Sequence, residues 1–256
     1  MTSAASELST APVAVVTGSG AQRLGQSIAQ ALAARGYRLA LHAHQHVDAA
    51  RQTAAEFAAA GTDTIALSGD LRDEDAVRAM VERTWDHFGR IDALVNTAAV
   101  WQRKKLEDVR AADVRLHLEV NVLGSFLCAQ QVGLRMVGQP QGGAIVNFGD
   151  WAIARPYPDY AAYFPSKGAI PAMTRSLAVE LGRRNPKVRV NAILPGPVLF
   201  QPDTPVAERL EAIAETLAQR EGHPSNVADA VILLLENEFI TGACLPVDGG
   251  RTIFAG

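Results

Sequence analysis

The sequence predicts an α/β fold, a mostly parallel sheet of seven strands with helices on both faces. Short apolar runs of strand length alternate with helix-period segments along nearly the whole chain, the pattern of a parallel sheet covered on both sides. The residues able to do chemistry fall where those runs end, and in such sheets ligands bind at the carboxyl ends of the strands. A chain of 256 residues that is 48% hydrophobic has enough apolar material for an extensive core.

Residues 13–17 form a short apolar run read as a buried strand, and a glycine-bearing turn follows. Residues 24–34 read as a helix ending near Gly36, 37–42 as a strand, and 48–60 as an alanine-rich helix closed by Gly61. Residues 64–67 are a third strand and 73–88 a helix with acidic residues in its first turn, where the helix dipole favours them. A fourth strand at 92–95 precedes one long helical region, 113–137. A strand at 144–148, a helix at 161–182 and a strand at 188–193 come next. The chain then reads as loop over 195–205, helices over 207–219 and 226–235, and a last strand over 245–247. With no linker, repeat or low-complexity segment, residues 13–256 are expected to form one domain behind a small polar tail, 1–12, expected to fray.

A net charge of −3 and a pI of about 6.1 give no basic footprint for nucleic acid or an anionic membrane. Cys128 and Cys244 lie in apolar surroundings without metal-like spacing. They read as buried free thiols in a reducing, cytoplasmic compartment, and no metal site is expected. No apolar run reaches the ~20 residues needed to span a bilayer, and the first residues do not read as a signal peptide.

The turn after the first strand runs Thr17-Gly18-Ser19-Gly20-Ala21-Gln22-Arg23-Leu24-Gly25. Glycines let a backbone approach a pyrophosphate, and the helix that follows offers a positive dipole end. It is not a strict G-x-G-x-x-G, but it occupies the first βα turn, the context that fingerprint requires. The second strand ends in His42-Ala43-His44-Gln45-His46, with no acid before Asp48. An acid there would accept bonds from the ribose hydroxyl of NAD and repel a 2′-phosphate. Arg23 and partly protonated histidines would attract one, so NADPH is preferred over NADH; the alternative is that these histidines are solvated loop residues. Asp70-Leu71 is placed to touch an adenine, and Asn96-Thr97-Ala98-Ala99 has the small residues of a backbone packed against a cofactor.

Tyr163 and Lys167 stand four apart where a strand has ended and a helix begins, so they share one helix face. An ammonium beside a phenol favours the phenolate and makes the pair a proton donor and acceptor near neutral pH.

With these residues in view, the chain from about Ala14 to Arg251 resembles the short-chain dehydrogenase/reductase family. The resemblance rests on the Thr-Gly turn, Asp70, Asn96, Asn121, Tyr163 with Lys167, Pro195-Gly196, and Thr241-Gly242 leading to Val247-Asp248-Gly249-Gly250. It implies a Rossmann-like, doubly wound domain, NAD(P)(H)-dependent carbonyl or imine chemistry, and homotetramers built on the long helices. It also implies that Asn121 holds a water linking to Lys167, that Lys167 holds the nicotinamide ribose, and that Pro195, Gly196 and Val198 lie beside the nicotinamide.

One position departs from the family. Its active-site serine stands thirteen residues before the tyrosine, and here that residue is Asp150. A carboxylate repels a developing alkoxide and suits a substrate gripped through N–H donors. Asp150, Arg23-Leu24-Gly25, the histidine stretch and Trp101 resemble the pteridine reductase branch, with Trp101 sandwiching a pterin. That likeness implies hydride transfer to a pteridine-type ring bound by Arg23, Trp101, Asp150, Tyr163 and Phe200. The cofactor turn has four residues between Gly18 and Arg23 where that branch has three, and Gln45 and His46 replace its Arg and Ser. The alternatives are a reductase of a ketone, quinone or 3-oxoacyl thioester, and a cofactor-binding sensor without turnover.

Overall fold

The computed structural model describes residues 10–20, 24–200 and 204–254. The apolar runs become β1 (Val13–Thr17), β2 (Arg38–Ala43), β3 (Thr64–Ser68), β4 (Ala93–Asn96), β5 (Gly143–Phe148), β6 (Val188–Pro195) and β7 (Cys244–Val247). They form one sheet in the order β3-β2-β1-β4-β5-β6-β7, and all six pairings are parallel. Side chains alternate between its faces. Val13, Val15, Leu94, Ile145 and Val190 join one buried cluster, and Ala14, Val16, Val95, Val146 and Ile193 the other. This is the predicted doubly wound sheet, and its strand order reverses between β1 and β4, where ligands of such folds bind.

The helices are α1 (Leu24–Ala34), α2 (Val47–Ala59), α3 (Glu74–Phe88), α4 (Ala111–His117), α5 (Ser125–Val137), α6 (Phe164–Gly182), α7 (Val206–Ala214) and α8 (Pro224–Glu236). Asp73 caps α3 through Asp75 N and Ala76 N, and Gly89 closes it in the left-handed conformation. The long helix expected over 113–137 is interrupted by a π-helical segment, Leu118–Gly124. At its end a Cβ on Gly124 would stand 3.0 Å from Leu71 Cβ. The helix expected over 207–219 stops earlier, at Ala214.

The amino-terminal rim of the sheet is locked by buried polar groups. Gln139 accepts from Ile91 N (2.9 Å) and donates to Ile91 O and Gly142 O (2.8 Å each). Arg189 donates to Leu234 O and Leu235 O, satisfying carbonyls in the last turn of α8, and to Ile240 O beyond it. Asp92 accepts from Val13 N and from Arg90. Residues 10–12, expected to fray, supply carbonyls that accept from Arg90 and Arg38; residues 1–9 lie outside the described residues. Cys128 is buried, with its thiol pushed up to about 12, while Cys244 is only half-buried, and both are free.

Candidate active site

β5 ends at Phe148, and after Gly149 the chain presents Asp150, whose Oδ1 accepts from Ala152 N (2.8 Å) and fixes the carboxylate. The phenol of Tyr163, 5% exposed at the start of α6, donates to Asp150 Oδ2 at 2.7 Å. One turn on, Lys167 is also buried, and its Nζ donates to Phe148 O at 2.8 Å. Three predicted residues therefore meet at the carboxyl end of β5.

The electrostatics oppose the expected acidification of Tyr163. Burial, and then the adjacent Asp150 carboxylate, hold the phenol well above its usual value. Burial lifts Asp150 as well, and lowers Lys167 to about 8. The Lys167 ammonium lies 6.0 Å from the centre of the Tyr163 ring. In this geometry Tyr163 is a neutral proton donor and Asp150 a carboxyl group able to hold a proton.

Asn121, in the π-helical segment, accepts from Val100 N (2.8 Å) and donates to Val100 O (3.0 Å) and Ser166 Oγ (2.9 Å). Its side chain ties the strand-end loop to α6 and does not reach Lys167 directly. Ser166 in turn donates to Tyr163 O at 2.6 Å. The sequence reading missed Ser166; its signal was a hydroxyl between the two motif residues. It also missed His117, buried edge-on to the Tyr163 ring at 5.9 Å.

Trp101 stacks on Tyr160 (5.3 Å, 16°) and stands 6.5 Å from Tyr163. Tyr157 meets Tyr160 and Phe164 edge-on, so these rings extend the aromatic wall that Trp101 begins. Arg103 pairs with Asp159 (3.1 Å) and Glu208 (3.4 Å), joining this wall to α7. Phe200 lies under the Arg209 guanidinium at 5.4 Å, at the edge of undescribed residues 201–203.

At the other end of the edge, the glycine turn is pressed between β2 and β4. A Cβ on Gly18 (φ +68°) would stand 2.8 Å from Ala98 Cα, one on Gly20 2.5 Å from Ala43 Cβ, and one on Gly25 2.7 Å from Thr97 Oγ1. The turn is thus held to bare main chain, the surface a pyrophosphate takes. Ser19 is fully buried, its hydroxyl donating to Val16 O. Leu24 packs partly into the core. Gln22 and Arg23 lie outside the described residues.

The side chains of two expected cofactor-binding residues are engaged within the protein. Asn96 is 2% exposed and donates to Ser125 O and Asn147 Oδ1, so it braces the sheet interior. Leu71 is likewise buried, packed on Gly124. Asp70 remains at the edge, held at about 2 by its bonds to Arg72, with His44 3.9 Å away. Gln45 is exposed, and His46 immediately precedes α2. Pro195 ends β6, Gly196 N donates to Val247 O, and a Cβ on Gly196 would stand 2.5 Å from Asp248 Cα. Val198 is buried.

A family model described as enoyl-(acyl carrier protein) reductase matches residues 20–252. Human 3-oxoacyl-[acyl-carrier-protein] reductase is 34% identical over 232 residues, covering 90% of this chain and 94% of that protein. The enzyme of the same name from Synechocystis is 33% identical over 253 residues, covering 96% and 98%. A solved structure from Sinorhizobium meliloti, assigned as a short-chain alcohol dehydrogenase, superposes with a TM-score of 0.85 at 32% identity, over 95% of this chain and 97% of that one. A blue fluorescent protein from a metagenomic library, solved in complex with NADPH, gives 0.85 at 30% identity, over 94% and 97%. Likeness over nearly the full length, on a sheet of this order, establishes that the chain belongs to the short-chain dehydrogenase/reductase family of oxidoreductases.

Proposed function

We propose that the chain is an NADPH-dependent reductase of a carbonyl substrate, a ketone or 3-oxoacyl thioester. The reading rests on the 2.7 Å bond between Tyr163 and Asp150, with Lys167 behind it. Relatives named for 3-oxoacyl reduction favour this substrate class, and the NADPH-bound structural neighbour favours the cofactor. NADH is disfavoured only in degree, by the absence of an acid between β2 and Asp48.

NADPH, when bound, supplies the hydride. Tyr163 donates its phenolic proton to the substrate oxygen as that oxygen gains charge. Burial favours the protonated form of Asp150, and in that form its Oδ2–H donates to Tyr163 Oη, the reverse sense of the bond seen here, replacing the proton given to the substrate and leaving Asp150 as the carboxylate. The Lys167 cation offsets negative charge at this end of β5. Asn121 and Ser166 keep the Trp101 loop and the start of α6 in register.

A second reading, reduction of a pteridine-type ring, is favoured by one observation. A carboxylate rather than a hydroxyl faces Tyr163, with the flat Trp101 face nearby. The test is loss of NADPH absorbance with acetoacetyl-CoA, a quinone, dihydrobiopterin, dihydromonapterin and dihydrofolate, each repeated with NADH. Turnover of the thioester supports the main reading, and turnover of a dihydropterin alone replaces it. NADPH binding without turnover of any of them would leave a sensor.

The working unit is one catalytic domain over 13–256, assembled as a cytoplasmic homotetramer. Support for self-association is an apolar groove beside the π-helical segment, lined by Leu118, Val122, Leu123, Phe126, Met173 and Leu177. Among the described residues no helix is long and apolar enough to cross a membrane. Light scattering tests the assembly.

A further inference from the structure

Of the histidines near the end of β2, His42 behaves unlike the other two. It is 1% exposed, whereas His44 and His46 are both exposed. Its ring bridges two turns. Nδ1 accepts from Gly18 N at 3.4 Å, and Nε2 lies 3.0 Å from Gly69 O, which only an N–H can satisfy. Its main-chain oxygen also accepts from Ser19 N at 3.0 Å. The two ring bonds together select the neutral tautomer with the proton on Nε2.

We propose that His42 is a positioning residue for the cofactor, a neutral pin that fixes the glycine turn after β1 to the turn after β3. The inference rests on the dinucleotide-binding reading above. Gly18 sits in the left-handed region against Ala98, and Gly69 directly precedes Asp70. A pin between them sets the spacing of the two turns on which the dinucleotide lies. His42 is therefore no phosphate ligand, and the attraction of a 2′-phosphate falls to its exposed neighbours.

The tautomer gives the pin a pH dependence. An imidazolium has N–H at both positions, so protonated His42 would aim a donor at the Gly18 N–H. Burial lowers the pKa of His42, the Gly69 carbonyl opposes that, His44 lowers it further and Asp70 raises it. Asp70 is ion-paired with Arg72, and among the described residues the turn after β1 brings no charged group to the ring. The pin is intact at neutral pH and is lost only as pH falls through the lowered pKa of His42, beneath the ordinary imidazole value of ~6.5.

The experiment is NADPH affinity, by fluorescence, from about pH 5 to 8 for the wild type, His42→Gln and His42→Leu, with melting temperature as the check on folding. The glutamine amide keeps one acceptor and one donor, whereas leucine keeps neither. His42→Leu is expected to bind NADPH about tenfold more weakly at neutral pH, the scale of one or two lost hydrogen bonds. His42→Gln is expected to recover most of that affinity and to lose the extra acid-side weakening of the wild type. Every other titrating group of protein and cofactor is common to wild type and His42→Gln, so the difference between their profiles reports His42. Equal affinities, or parallel pH profiles in wild type and His42→Gln, would overturn the proposal. A wild type that binds no NADPH at any pH would instead overturn the dinucleotide reading beneath it.

Discussion

Lys167 Nζ and Phe148 O lie 2.8 Å apart, so the ammonium under the site is anchored to the end of the strand that delivers Asp150 two residues later. Burial brings Lys167 down to about 8, whereas Tyr163 lies far above that. The cation is therefore the first group of the pair to change as pH rises. Reductase kcat/KM is expected to fall above about pH 8. Lys167→Arg keeps its charge through that range and is expected to lose the alkaline limb at a lower overall rate; an alkaline limb that stays at the same pH in this variant would assign it elsewhere.

Tyr163→Phe removes the proton donor and leaves the ring in its aromatic packing. Turnover is expected to fall by ~10²–10⁴-fold, the usual contribution of positioned acid catalysis. NADPH affinity, measured by fluorescence, is expected to hold. Unchanged turnover would remove Tyr163 from the chemistry.

Asp150→Asn should stabilise the fold at neutral pH. Burial raises the folded-state pKa of Asp150 above the ordinary carboxyl value of 3.8. Between the two values the folded chain holds more protons than the unfolded chain, so this group's contribution to stability falls as pH rises through that window. Asparagine does not titrate. The gain in Tm over wild type is expected to be largest near neutrality and to shrink as pH approaches 3.8. A gain independent of pH would contradict the assignment. Reductase activity should drop in the same variant, because Tyr163 loses its proton source.

Gly18→Ala and Gly36→Ala form a matched pair. Both glycines have positive φ, +68° and +81°, so both substitutions incur the ~1–2 kcal/mol left-handed penalty. Space around Gly36 is open, while a Cβ at Gly18 would press on the Ala98 backbone. Thermal melts should show the larger loss for Gly18→Ala, and NADPH affinity should fall only there.

The sheet was legible because its central strands are buried on both faces and are dominated by Val, Ile, Leu and Ala. α1 appears with the boundaries its apolar spacing implies. The π-helical segment was not legible: a shift from i+4 to i+5 bonding over residues 118–124 leaves the apolar period of 113–137 almost unchanged. At the site, the spacing of Tyr163 and Lys167 announced a shared face, and Asp150 fell within reach of Tyr163. Partners were the hidden part. Asn96 reads as a strand-end polar residue and turns inward to Asn147 across the sheet, which only the β4–β5 register decides. His42 differs from the exposed His44 and His46 by burial, which follows from the turns packed above the end of β2, and Ser166 faces inward from the first turn of α6.

The buried clamps of Gln139 and Arg189 close the rim of the sheet opposite the catalytic one. Mechanical integrity and substrate selection are thus assigned to different borders of the same sheet. Exchange of a segment on the catalytic border, such as 99–110, is expected to be tolerated where the Asn121 bonds to Val100 are kept. A graft on the opposite border, by contrast, would unfasten the closures on which every such exchange depends.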